Sequence, residues 1–524
     1  MATADPTPTS APLNADANLD ETARQDEPAA TVEQGHGAAG GNQCKPSQTR
    51  SLKSLAIRGS AWTVIGFVGH QTARLANNIV LAWVLTPAIL GMMSLVRVIM
   101  QGLEMCSDLG LGPSIIQHER GDDPAFLNTA WTIQVIRGAM LWIACLVIAL
   151  PLGLFYKEPQ LYWIIPAVGI SALIGGFNST SLFTLNRRMA LAKLKIIELS
   201  VFLFTVSTMI VAALITRSIW GIVFGWLLGS IARLIVSHAV NDGAPHRFQW
   251  DNDARRELYS FGKWIFLSTV ITFLAGQMDR PILGKLVTWH DLGVYNVAMV
   301  VAIMPQQIGS QLCAFVLFPV LANRARERRQ ELQADVLRAR RAILPLGVLT
   351  TMGVALVSPT FFRLLYDDRY HHAGATAQLL MIPMWFTILQ ASADRALLAV
   401  GDSRSLMISN SIRFIGSTAG CIGGFMIWGL PGFVLGLSLG TLFGHLVIQI
   451  ALSRHGIQIV KQDLIYTAGC AALGVIGVLG PDRLAKQIDG VMDPSIFRLA
   501  SGTLVLAATT LWTVHRVRRE LFAR

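Results

Sequence analysis

Charge is scarce in this sequence. Acidic and basic residues together make up 14% of its 524 positions. An ordinary soluble domain carries about 25%, so water is a poor candidate for the solvent around most of the chain. No CxxC or HExxH pattern occurs, and the six cysteines follow no pairing pattern. That argues against a disulfide framework and a recognisable zinc site. Cys106, Cys145, Cys313, Cys421 and Cys470 fall inside apolar runs, where a thiol behaves as a small hydrophobe. Walker A and nucleophile-elbow patterns are missing too. ATP hydrolysis is therefore not expected, no catalytic residue is assigned, and neither cofactor nor metal is implied. The net charge of +11 would suit nucleic acid. Its cations, however, sit in short clusters between apolar stretches, and no soluble basic domain is left to hold a duplex.

Residues 1–50 differ in kind, being rich in Ala, Asp, Glu, Thr, Pro and Gly with no apolar run. The expectation there is a disordered, mildly acidic cytoplasmic tail and no secretory signal peptide.

What fills the rest is apolar sequence in helix-length pieces. Candidate spans lie near 58–84, 88–116, 127–154, 161–185, 194–216, 218–240 and 261–287. They continue near 292–322, 341–364, 375–400, 404–428, 432–453, 463–480 and 495–515. Each is long enough to cross about 30 Å of hydrocarbon. A transmembrane β-barrel would alternate apolar and polar residues in segments of about ten; these runs are continuous and about twice that length. The fold class is thus an all-α polytopic membrane protein with about 14 transmembrane helices.

Loop charge sets the orientation. With the N-terminal tail cytoplasmic, the inside loops hold Arg187, Arg188, Lys193, Lys195, Arg247, Arg255 and Arg256. They also hold the run Arg324, Arg326, Arg328, Arg329, Arg338, Arg340 and Arg341, read as a solvated topogenic loop, and Arg516, Arg518 and Arg519. Roughly 26 Lys and Arg fall inside against roughly six outside, the expected positive-inside bias. Both termini are then cytoplasmic.

A 202-residue shift brings the first span onto the seventh. Trp62 meets Trp264, Val68 meets Val270, Ala73 meets Ala275, Leu81 meets Leu283, Thr86 meets Thr288, Leu90-Gly91 meets Leu292-Gly293 and Val98 meets Val300. The shared turn, Leu then Thr then Leu-Gly at fixed spacing, falls between two spans in both halves. Six spans per half is an even number, so both copies keep one orientation. That implies two lobes related by a pseudo-twofold axis along the membrane normal, with a cavity between them. The expected organisation is an N-terminal lobe at 55–240, a cytoplasmic linker at 241–260 and a C-terminal lobe at 261–453. Two extra spans at 454–515 and a basic cytoplasmic tail at 516–524 complete it.

Three segments carry a resemblance: Arg58-Gly-Ser-Ala-Trp62, Leu81-Ala-Trp-Val-Leu-Thr-Pro-Ala-Ile-Leu-Gly91 and Ser107-Asp-Leu-Gly-Leu-Gly-Pro-Ser-Ile-Ile-Gln117. With Asp279-Arg-Pro-Ile-Leu-Gly-Lys285, Leu292-Gly-Val-Tyr-Asn-Val-Ala298 and Phe318-Pro319, they resemble the polysaccharide transporter family. That family includes the O-antigen and exopolysaccharide flippases of the multidrug/oligosaccharidyl-lipid/polysaccharide exporter superfamily. The resemblance covers roughly residues 55 to 460 and consists mostly of packing and turn signatures, informative for family and poor for substrate. It implies a two-lobed transporter of the bacterial cytoplasmic membrane that alternates between inward-open and outward-open states. Its substrate is an oligosaccharide linked through diphosphate to a polyprenol. Membrane lipids are partners, a polysaccharide polymerase or export machinery is a candidate partner, and nucleic acid is not.

Polar residues inside the spans supply candidate contacts. A charge at mid-bilayer costs about 2.5–3.5 kcal/mol, so it is expected at a cavity, a partner or an interface. Arg74, Arg97, Arg137, Arg280, Arg395 and Arg413 qualify, and arginine's planar fork suits a diphosphate. The repeat aligns Asn77-Asn78 with Asp279-Arg280, at one depth in both lobes. Arg74 and Arg280 are the first candidates for diphosphate contact and Arg97 the next. Asn77, Asn78 and Asp279 complete the polar pairs, while Gln306 and Gln307, after Pro305, are candidate sugar-binding amides beside a hinge. Each has a structural alternative: bracing between helices, an interhelical hydrogen bond, or snorkelling of Arg97. The outer loop Tyr366–His372 is read as solvated rather than metal-binding. Two other functions share these features: an ion-coupled exporter of drugs or small metabolites, and a membrane glycosyltransferase or polymerase. Short outer loops, the longest at roughly 481–494, favour transport over catalysis.

Overall fold

In the computed structural model, residues 47–107, 110–240, 246–251, 269–327 and 331–476 are described. The chain divides into Met1–Ser54 and Leu55–Arg524, and the fold is that of the second unit. The tail at 1–46, most of the linker, the start of the seventh span and everything from 477 onward lie outside the described residues.

The first half holds α1 (Ser47–Val84), α2 (Pro87–Cys106), α3 (Leu111–Gln117), α4 (Pro124–Tyr156), α5 (Leu161–Gly176), α6 (Ser181–Arg187), α7 (Leu191–Thr216) and α8 (Ile219–Ala239). The second holds α9 (Asp279–Leu286), α10 (Trp289–Ala302), α11 (Met304–Leu312), a π-helical turn (Cys313–Leu317) and α12 (Phe318–Glu327). It continues with α13 (Leu332–Leu365), α14 (His371–Val400), α15 (Ser403–Arg454) and α16 (Val460–Gly474). The described residues contain no strand. Seven of their helices are long and apolar enough to cross a membrane, or eight if α5 and α6 count as one bent span.

Helix starts follow local chemistry. Proline sits at the first position of α2 and of α4, where its missing N–H costs nothing, and the Asp123 carboxylate accepts from Ala125 N at 3.0 Å. Thr86 and Thr288, partners in the repeat, are the extended N-cap residues of α2 and α10. The repeated turn is thus a repeated helix start.

The repeat also meets itself in space. α2 packs along α10, and each presents its repeated glycine to the other's first residue. A Cβ built on Gly91 would lie 2.3 Å from the Trp289 carbonyl oxygen, and one built on Gly293 would lie 1.8 Å from the Pro87 carbonyl oxygen. Pro87 and Trp289 are themselves 202 apart. Reciprocal contact between equivalent residues is the mark of a twofold interface.

Several spans differ from the expectation. The stretch expected at 88–116 ends as a helix at Cys106, and α3 starts afresh after Gly110, whose φ of +66° no continuing helix accommodates. The one expected at 161–185 bends by 59° between α5 and α6. The 292–322 stretch is interrupted ahead of Pro305 and again at the π turn. α15 is two helices meeting at Trp428–Gly429, where Gly429 takes φ +62°, so the expected pair 404–428 and 432–453 forms one hairpin. The basic run read as a loop needs the largest correction. α13 begins at Leu332, putting Arg338, Arg340 and Arg341 on a helix. Arg340 is fully buried, ion-paired with Asp463 of α16.

Candidate functional site

α1 and α2 leave the Leu85–Thr86 turn side by side, so residues equally far from it share a depth. Arg74 lies ten residues before Val84 and Arg97 ten residues after Pro87. At 1.5 Å per residue both are about 15 Å from that end, near the middle of a bilayer core. Arg97 is exposed although Val96 and Val98 beside it are buried, so it points away from the packed face of α2. Arg74, Arg97 and Arg280 are close enough to repel one another. Three arginines so placed form a cationic centre drawn from both halves of the chain.

Amides hold it. Gln307 on α11 accepts from Arg74 Nη2 at 3.0 Å and from the Gln71 side chain, crossing between the halves. Arg280 Nη1 donates to Gln277 Oε1 at 2.6 Å. Among the described residues, the buried Nε atoms of Arg74 and Arg280 have no hydrogen-bond partner. Unused donors on repelling cations are what a polyanion would satisfy. His70, one turn from Arg74 on α1, stacks on Phe202 at 3.9 Å and carries the polar face toward Lys195 and Glu198. Those two pair with each other at 2.7 Å.

The other candidates have separate tasks. Asp279 is buried and accepts from the Tyr295 hydroxyl at 2.8 Å, bracing α9 against α10. Asn78 accepts from the Tyr366 hydroxyl at 2.9 Å. Asn77 faces Met209, with Sδ at 4.0 Å, and its buried Oδ1 is unpartnered. Gln306 is half-buried and makes no hydrogen bond among the described residues. Arg137 donates to Ser107 Oγ at 2.9 Å and the Glu104 carbonyl at 2.7 Å. Sequence reasoning passed over Gln71 and His70, although both sit one helical turn from Arg74.

The Asn78–Tyr366 bond belongs to a seal at the end bearing the α1–α2 turn. There Trp83 Nε1 donates to the Leu365 carbonyl at 2.8 Å, Arg369 reaches the Trp83 carbonyl at 3.4 Å, and Tyr156 OH donates to the Pro281 carbonyl at 3.0 Å. The 366–372 loop was read as solvated. Asp367, Asp368, Arg369, His371 and His372 are exposed as expected, whereas Tyr366 and Tyr370 are buried, their hydroxyls donating to Asn78 Oδ1 and the Leu85 carbonyl. Among the described residues no group of three His, Cys, Asp or Glu is placed to hold a metal ion.

The protein-family profile described as "Polysaccharide biosynthesis protein" matches residues 80–375. Teichuronic acid biosynthesis protein TuaB of Bacillus subtilis is 22% identical over 382 residues, covering 70% of this chain and 78% of its own. Lipopolysaccharide biosynthesis protein WzxC of Escherichia coli is 21% identical, over 63% of this chain and 67% of its own. Among solved structures, the lipid II flippase MurJ in an inward-closed conformation aligns with a TM-score of 0.65 at 13% identity. That alignment covers 87% of this chain and 98% of that one. At that identity the likeness speaks for the fold.

Proposed function

The chain belongs to the polysaccharide biosynthesis protein family, and from that premise we propose that its arginine centre carries the diphosphate of a polyprenol-linked saccharide across the membrane. The protein is a flippase for a lipid-linked oligosaccharide. The observation that supports the site is the set Arg74, Arg97 and Arg280, at mid-depth, contributed by both halves and short of counter-charge.

The mechanism follows from that placement. The two halves act as lobes of six spans that rock about the α2–α10 crossing, where reciprocal glycines let the backbones touch. With both termini in the cytoplasm of a bacterium, the α1–α2 turn faces outward and its seal closes the extracytoplasmic side. The diphosphate enters from the cytoplasmic leaflet and displaces the Gln71 and Gln307 amides from Arg74. Breaking the Trp83, Tyr366 and Arg369 contacts then opens the outer side. The prenyl chain stays in lipid. A normal membrane potential, positive outside, favours outward passage by about 2.3 kcal/mol per charge per 100 mV.

Accumulation of lipid-linked glycan in cells lacking the protein tests this reading. Complementation with wild type is expected to restore export, while well-folded Arg74→Ala and Arg280→Ala leave the glycan on the cytoplasmic leaflet. Normal export in the deletion strain, with no redundant transporter, would overturn it in favour of an exporter of drugs or metabolites.

A further inference from the structure

A second polar cavity lies away from the arginine centre, wholly within the first half of the chain. It encloses about 440 Å³ between α2, α4, α5, α6 and α8. Its wall carries Glu104, Gln134, Arg137, Asn178, Trp226 and Arg233.

Hydrogen bonding divides these residues into scaffold and free groups. Gln134 Nε2 is committed to the carbonyls of Gly175, Gly176 and Asn178, at 3.3, 3.1 and 2.9 Å, where α5 breaks before α6. Arg137 is held by Ser107 and the Glu104 carbonyl. The Glu104 carboxylate and the Arg233 guanidinium make no hydrogen bond or ion pair among the described residues, and both are exposed to the cavity. Asn178 Oδ1 is buried with no partner. The Glu104 carboxylate lies within electrostatic reach of both arginines yet pairs with neither.

We propose that this cavity is a saccharide-binding site, taking a hexose-sized unit with acidic sugars preferred. A sugar hydroxyl both donates and accepts, so it can serve carboxylate, amide and guanidinium at once. A bare phosphate would meet the Glu104 carboxylate head-on, and an acyl chain would leave every polar group unserved. Trp226 offers a flat apolar surface for the C–H face of a sugar ring, the combination of apolar wall and few placed polar groups expected of a ligand pocket. Two guanidiniums against one carboxylate leave a positive excess, which favours a uronic acid over a neutral sugar. That this saccharide is part of the transported glycan rests on the flippase reading; the cavity's preference for sugar does not.

The test uses the full-length protein in lipid nanodiscs, cysteine-free except for Ser230→Cys on the cavity wall. The readout is the rate of alkylation by a small maleimide, with glucuronic acid, glucose and sodium sulfate as probes. Glucuronic acid is expected to slow alkylation saturably and at lower concentration than glucose, with sulfate ineffective. Glu104→Gln and Arg233→Gln are each expected to raise the half-protecting concentration about tenfold. Trp226→Phe should raise it less, and serves as the second variant if a charge change disturbs folding. Arg74→Ala should leave protection intact while abolishing glycan export, which separates the two sites. No protection by either sugar, or equal protection by sulfate, would overturn the saccharide proposal. If export then still depends on the protein, the flippase reading survives without it. Protection in a protein whose deletion leaves export normal would sink the flippase reading alone.

Discussion

The α2–α10 crossing yields the most direct prediction, because its geometry fixes the size of the effect. Gly91→Ala and Gly293→Ala add a methyl group where the nearest atom is backbone, at 2.3 and 1.8 Å. Ordinary van der Waals contact requires the helices to part by roughly 1 Å in the first case and roughly 1.5 Å in the second. Backbone carbonyls cannot swing aside like a side chain, so the whole crossing must shift. Overpacking of this kind costs about 1–3 kcal/mol, with Gly293→Ala the more damaging. Gly423, with nothing within 4 Å of its built Cβ, is the control: Gly423→Ala should be neutral or stabilise by up to about 1 kcal/mol through helix propensity. Thermal unfolding in detergent measures all three. Once one alanine has separated the helices the other has less to clash with, so the double variant should lose less than the sum of the singles. Additive losses, or a loss no greater than that of Gly423→Ala, would refute the reciprocal contact and the pivot built on it.

Removing one partner of the buried Arg340–Asp463 pair, as in Asp463→Ala, is expected to destabilise by about 3–5 kcal/mol; Arg340→Met with Asp463→Leu should recover only part of it, because His445 and Gln449 also lose Asp463, both read by the same unfolding assay. At the α4 start, hydrogen bonds from Arg120 and then Ala125 N hold Asp123 below the usual carboxylate range. A depressed carboxylate contributes stability above its unfolded value that is lost as pH falls through the folded one. Protection against hydrogen exchange at residues 120–130, taken relative to the intrinsic rate at each pH, should therefore be flat from pH 5 to 8 and fall only below about pH 4. Asp123→Asn keeps the cap and should remove that acid response, whereas loosening between pH 5 and 7 would contradict it. Tyr366→Phe deletes the bond to Asn78, worth about 0.5–1.5 kcal/mol. Spin-label distances between Lys157 and His371 should broaden toward an opened end, and an unchanged distribution would count against the seal.

Some of this architecture was legible in the residues and some was not, for identifiable reasons. The turn repeat was readable because Thr86 and Thr288 take the same extended position at a helix start, which needs no knowledge of the rest of the chain. The glycines after them were visible as a motif but not as a contact, since close approach is decided by a partner 202 residues away. Breaks inside apolar runs were hidden for a related reason. Hydropathy integrates over a window and does not register a single left-handed residue, such as Gly110, that ends one helix and precedes another. Arg340 was misread because a cluster of arginines looks like a topogenic loop until one of them finds a buried carboxylate.

The candidate site divides along the same line. Arg74, Arg97 and Arg280 could be chosen by cost alone, since an arginine deep in an apolar run has to be stabilised by something. Asn78 and Asp279, chosen from the aligned pairs Asn77-Asn78 and Asp279-Arg280, are occupied by Tyr366 and Tyr295. Helices of a shared repeat need not give equivalent residues equivalent work. What separates the two groups is whether the protein itself completes the hydrogen bonding. Asp279 and Asn78 each bind a tyrosine hydroxyl, so they fix the frame. Arg74 and Arg280 keep unused Nε donors, and the three arginines repel one another. A fold that leaves cations in that condition at mid-membrane is less stable for it, and an anionic head group relieves the strain only while it is bound. On the function proposed above, the site would hold a diphosphate by the counter-charge it lacks, and would release it once water can hydrate the guanidiniums.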